Sequence, residues 1–99
     1  MKQANKHEQE HMARVAATGC VICRHWHDQI VPGQVHHIAD GSNPRSHYMI
    51  ACLCPDHHTG TAYGLHGLGV KQFCAAYKLP NEYYLMALQN QYIAEDMNK

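Results

Sequence analysis

Two short cysteine and histidine pairs, Cys20-x-x-Cys23 and Cys54-x-x-His57, constrain this chain more than anything else in it. Each pair has the spacing of a metal knuckle, and together they supply the four soft or borderline ligands of a closed tetrahedral zinc site. One ion joining them would tie the intervening segment into a loop. Cys52 lies two residues before Cys54 and is the alternative donor, while Cys74, alone on an apolar helical stripe, reads as core.

Composition makes metal the expected source of extra stability. Ten histidines and five cysteines in 99 residues are an unusual supply of coordinating side chains, and a chain of this length buries a modest core. Eight basic residues balance eight acidic ones, which excludes a polybasic segment that would hold nucleic acid by counterion release alone. No run approaches the length of a membrane span, and Lys2, Lys6, Glu8 and Glu10 interrupt any apolar leader. The expectation is a cytoplasmic protein with reduced thiols and no membrane partner.

Local patterning predicts an N-terminal helix over 2–18, with Met12, Val15 and Ala16 on one face and Gly19 closing it. After the CxxC turn come Arg24 to Gln29 and then a mixed run from Ile30 to Ile38, interrupted by Pro32-Gly33, where an extended, hairpin-like segment is expected. A polar loop follows over 39–45. A second strand is expected from Tyr48 to Cys54, with Ile50, Cys52 and Cys54 on one face. A Gly-rich stretch then runs to Gly69. Val70, Phe73, Cys74 and Tyr77 keep helical spacing up to Leu79-Pro80, and Asn81 is placed to cap a last helix carrying Leu85, Leu88 and Tyr92. The division is 1–18 for the first helix, 19–67 for the metal-bearing core and 68–95 for the last helices.

Inside the loop that zinc would close stand His36 and His37, between Val35 and Ile38. His58 follows the second knuckle, and His66 lies in the Gly-rich stretch. Histidines converging on one centre would leave a divalent metal with open positions, the condition for catalysis, and a ligand beside a base is the economical reading of His36-His37.

The order CxxC, His-His-Ile, polar loop, Leu-Cys-x-x-His-His resembles the HNH endonucleases with their ββα-metal core. Ser46 to Gly60, continued by Gly64-Leu65-His66-Gly67 and Phe73, resembles more specifically the phage recombination-enhancement (Ref) nucleases, over about residues 15 to 90. The resemblance implies an α+β fold: a zinc-stapled ββα-metal core with flanking N- and C-terminal helices. It implies a metal-dependent endodeoxyribonuclease of phage or bacterial recombination, leaving a 5′ phosphate and a 3′ hydroxyl. His37 then takes the place of the general base, His36 that of the metal-binding Asp before it, and His58 that of the helix histidine on the catalytic metal. Cys20, Cys23, Cys54 and His57 hold the structural zinc. Met49 stands where the pattern has its central Asn, so His47 and His66 are candidates for that role, His66 as a further ligand.

Arg24, Arg45, His47 and Lys71 are the candidate substrate contacts. The expected cofactors are structural Zn²⁺ and a catalytic Mg²⁺, Mn²⁺ or Zn²⁺. The expected partners are DNA and a RecA-type recombinase filament, which a neutral nuclease would need for efficient cleavage. The competing expectation is a zinc-stabilised module that binds DNA or protein without catalysis.

Overall fold

The structure, a computed structural model, describes residues 3–38 and 46–98. The polar loop expected over 39–45, and with it Arg45, lies outside the described residues. The elements run α1 (Lys6–Ala17), α2 (Val21–His27), β1 (Gln34–His37), β2 (Ile50–Leu53), α3 (Pro55–His58), α4 (Leu65–Leu68), α5 (Val70–Ala76) and α6 (Tyr83–Met97). The class is α+β, as expected, with two antiparallel strands and helices around them.

Helix α1 starts later than its composition suggested because a capping box fixes its first turn. The Asn5 side chain accepts from the Glu8 N–H at 2.9 Å, and the Glu8 carboxylate accepts from the Asn5 N–H at 2.8 Å. Met12 and Val15 turn inward, whereas Ala16 is exposed.

The hairpin-like reading after the first knuckle needs correction. Val21–His27 is helical and ends at Asp28 in the left-handed region (φ 51°), and only Gln34–His37 forms a strand. Cys20, Val21, Ile22 and Cys23 are all buried, so packing decides a conformation that β-branched residues alone would not favour.

Strand β2 is buried along its whole length, which explains why Ile50-Ala51-Cys52-Leu53 lacks polar alternation. Ile50 and Cys52 pack with Val15 of α1, while Ala51 and Leu53 face the main core with Ile22, Phe73, Leu85, Leu88 and Tyr92. The strand stops at Leu53, so Cys54 does not share the Ile50 and Cys52 face; it is the N-cap of α3. Pairing sets His36 opposite Ala51 and His37 opposite Ile50.

Leu85, Leu88 and Tyr92 line the buried face of α6, as their spacing predicts. Between Leu88 and Tyr92 sits Gln89, fully buried, whose Oε1 accepts from the Cys52 N–H at 2.7 Å while its Nε2 donates to Thr18 Oγ1 at 2.8 Å. One side chain thus ties α6 to β2 and to the end of α1. Asn81 does not cap this helix: the N-cap is Glu82, whose side chain makes no capping bond and points elsewhere. Among the described residues no helix is long and apolar enough to cross a membrane.

Candidate metal centres

Both knuckles use the same local device. Cys20 is the N-cap of α2 and Cys23 its third residue; Cys54 is the N-cap of α3 and His57 its third residue. In each, the N-cap carbonyl accepts the first helical bond, from Arg24 at 3.0 Å and from His58 at 2.8 Å. This turn brings two donors separated by two residues to one point.

The four donor atoms lie within 4.8 Å of one another, all in buried residues. Cys23 Sγ is 3.8 Å from Cys54 Sγ, and His57 Nδ1 is 3.6, 3.5 and 3.1 Å from the sulfurs of Cys20, Cys23 and Cys54. A tetrahedral zinc with ordinary bond lengths has sulfur to sulfur edges of about 3.8 Å and sulfur to nitrogen edges of about 3.5 Å. The donors therefore fit a closed tetrahedral ion, with the Cys54 to His57 edge the tightest.

Burial pushes the Cys20 and Cys23 thiols up, and charge on Cys20 adds to the effect at Cys23. A divalent cation reverses that cost by pairing with the thiolates. Burial, together with His27, lowers His57 and so favours the neutral imidazole that a metal needs. Cys52 is not in this set. Period-two alternation directs it to the α1 side, and burial pushes it up to about 12. Cys74 lies in the core, as expected.

A second cluster lies beside the first. Ring nitrogens of His36, His58 and His66 are within 4.8 Å of one another, a spacing that could also hold a metal ion. Their ring centroids are 5.2, 5.4 and 4.9 Å apart for the pairs 36–58, 36–66 and 58–66. His57 and His58 are consecutive on α3, about 100° apart around its axis, so one short helix serves both clusters.

Glycine brings His66 into range. A Cβ on Gly64 would sit 2.5 Å from backbone atoms of Gly60, and one on Gly67 would collide with the Gly60 carbonyl oxygen. The chain from Gly60 to Gly67 coils too tightly for a Cβ at Gly60, Gly64 or Gly67, and this coil folds α4 back onto α3.

The trio borders an open cleft of about 330 Å³, also lined by Val35, His37, Leu65, Val70 and Glu82. His37 borders the same cleft, but alternation along β1 turns its ring to the side opposite His36, where its Nε2 is 3.0 Å from Nδ1 of the buried His47. Burial and the neighbouring His36 and His66 lower His58. The His58 Nδ1 is 3.1 Å from Gln34 Oε1; an amide oxygen only accepts, so Nδ1 carries the hydrogen and the lone pair resides on Nε2.

The candidate substrate cations separate. Arg24 is drawn inside, its side chain 10% exposed, in a two-pronged pair with Asp96 at 3.0 and 3.2 Å and over the Tyr92 ring at 4.4 Å. It fastens α2 to α6 and does not line the cleft. Lys71 is exposed, next to Val70 of the cleft wall. Sequence patterning missed two polar neighbours of the trio, Gln34 and Glu82. Gln34 carries no motif, and Glu82 passes as an ordinary residue at a helix start. Searches against protein-family models, curated proteins and solved structures give no match for this chain.

Proposed function

We propose that this protein is an HNH-type, metal-dependent endonuclease that cleaves DNA phosphodiester bonds, akin to the phage recombination-enhancement nucleases. One observation carries the reading: three imidazoles converge on an open cleft, with a fourth, His37, beside them on the same strand as His36. A closed four-donor centre that shares α3 with the trio, through the adjacent His57, has the character of a structural zinc, so the two clusters divide stability from chemistry.

His36, His58 and His66 would hold the catalytic ion, and three nitrogen donors leave positions for phosphate and water. When bound, the ion supplies positive charge against the phosphate oxygens and the leaving 3′ oxygen. His37 takes the proton from the attacking water. This role requires the tautomer in which Nε2–H of His37 donates to Nδ1 of the buried His47, 3.0 Å away, a contact that also holds the ring in place. General-base help of this kind is worth about 10²- to 10⁴-fold. Three imidazoles without a carboxylate among them favour zinc-like ions over magnesium, which prefers oxygen ligands.

The decisive experiment is nicking of plasmid and single-stranded DNA with added Mg²⁺, Mn²⁺ or Zn²⁺, beside His37→Ala. Metal-dependent cleavage by the wild type and its loss in the variant support the reading. Equal cleavage by both would remove His37 as base.

The zero net charge and the Glu82 carboxylate in the cleft favour a second reading, a zinc-stabilised interaction module. It requires one equivalent of metal and no cleavage under any condition. The same neutrality is the ground for a recombinase partner: a chain that neutralises few phosphates binds DNA weakly, and a RecA-type filament would supply local concentration. Cleavage of naked DNA as fast as filament-bound DNA at physiological salt would exclude that partner.

A further inference from the structure

Glu82 is the only acidic residue that lines the cleft among the described residues. It comes from the start of α6, far in sequence from the histidines. Leu79 and Pro80 end the preceding turn, after Lys78 in the left-handed region (φ 58°), and this reversal delivers Glu82 to the wall of the cleft. Its side chain caps no N–H of its own helix. Instead, Oε2 lies 2.8 Å from His36 Nε2, with the two side chains 8% and 6% exposed. A carboxylate this buried needs a partner of its own, and His36 meets that need.

The contact has a consequence for the imidazole trio. An ionised carboxylate only accepts, so a neutral His36, the form that can bind an ion, carries its hydrogen on Nε2 and its lone pair on Nδ1. A ring nitrogen that donates to Glu82 cannot also coordinate an ion. An ion held by the trio would therefore take His36 at Nδ1 and His58, whose Nδ1 is engaged by Gln34, at Nε2. Glu82 does not belong to the set of donors within 4.8 Å of one another, so it stands behind His36 and not beside it.

The geometry points to Glu82 as the positioning residue of the His36-His58-His66 centre, fixing His36 as the Nε2–H tautomer so that Nδ1 faces the metal. This rests on the metal-centre reading proposed above. It makes α6 part of the site: the helix that closes the core also sets the tautomer of a ligand on β1. Carboxylates behind metal-binding histidines typically account for about 10- to 100-fold in metal affinity.

The test uses the full chain holding one equivalent of zinc, so that the cysteine centre is filled. Long-range ¹H–¹⁵N correlation reads the tautomer of His36, and titration with Co²⁺ alone, followed by visible absorption, reads affinity of the second centre. The expected result is Nε2–H in the wild type, a tautomer mixture in Glu82→Ala, and cobalt affinity lower by about 10- to 100-fold in that variant. Glu82→Gln keeps an accepting oxygen and should recover most of the affinity.

An Nδ1–H tautomer in the wild type would overturn the proposal, as would an unchanged tautomer and affinity in Glu82→Ala. Equal loss in Glu82→Gln and Glu82→Ala would make Glu82 a direct ligand and also overturn it. If Glu82→Ala does not fold, the wild-type tautomer and the Glu82→Gln affinity decide. A wild type that takes up no cobalt refutes the metal-centre reading, while the tautomer still decides what Glu82 does to His36.

Discussion

Replacing Cys23 with serine removes one of four donors to the closed centre and tests how much of the fold depends on it. Cys23 and Cys54 are 31 residues apart, and an ion joining them restrains the unfolded chain as a cross-link does. For a loop of that length the entropic contribution is about 4 kcal/mol, before any contribution from metal bonding. A chain of this size has a total stability of roughly 5–15 kcal/mol, so this loss alone approaches the whole in a marginal case. Expressed as melting temperature, it corresponds to a fall of about 15–30 °C. The variant also leaves Cys20, Cys54 and His57 buried around an incomplete centre, which adds to the cost. Zinc content by elemental analysis and urea or thermal unfolding by circular dichroism measure both effects together. A Cys23→Ser protein with one zinc and an unchanged midpoint would refute the ligand assignment, and one with no zinc and an unchanged midpoint would refute the energetic argument.

Three further outcomes follow from other parts of the molecule. His58→Ala should lower occupancy of the second centre, whereas His37→Ala should leave it intact and abolish cleavage; matched loss of metal in both would turn His37 into a ligand. In metal-free protein, burial lowers His57 and His58 below the ordinary 6.5, so the unfolded chain takes up protons first. That stability is present above pH 6.5 and should be lost as pH falls below it. Burial raises Cys20 and Cys52 above the ordinary 9.0, so their contribution is present below pH 9.0 and should be lost as pH rises; urea midpoints flat across both limbs would contradict this. Gln89→Ala leaves the Cys52 N–H without its acceptor and opens a void, a cost of about 2–4 kcal/mol in urea unfolding; a change within error would mean that neither bond matters.

Some of this protein can be read from its sequence because the signals are local. The spacing of Cys20 with Cys23 and of Cys54 with His57 is set by one helical turn, so the pairs announce their geometry without knowledge of the fold. The apolar stripe of Leu85, Leu88 and Tyr92 likewise depends only on helical period. Local signals fail where burial outweighs propensity. Val21 and Ile22 become helical because both side chains are buried in the core at the start of α2, and the strand read from Tyr48 to Cys54 shrinks to Ile50–Leu53 once Cys54 starts a new helix.

The assembly of the imidazole trio belongs to tertiary structure alone. Alternation along β1 separates His36 from His37, but only the pairing of β1 with β2, the turn of α3 and the glycine coil after it bring His36, His58 and His66 together. Glu82 is the furthest case, since the separation of 46 residues from His36 leaves no periodicity to connect them. Sequence determined which residues could bind metal, because ligand chemistry is carried by residue type and short spacing. Tertiary structure decided which of them cluster and which polar side chains stand beside them, because those depend on long-range packing and on contacts between distant elements.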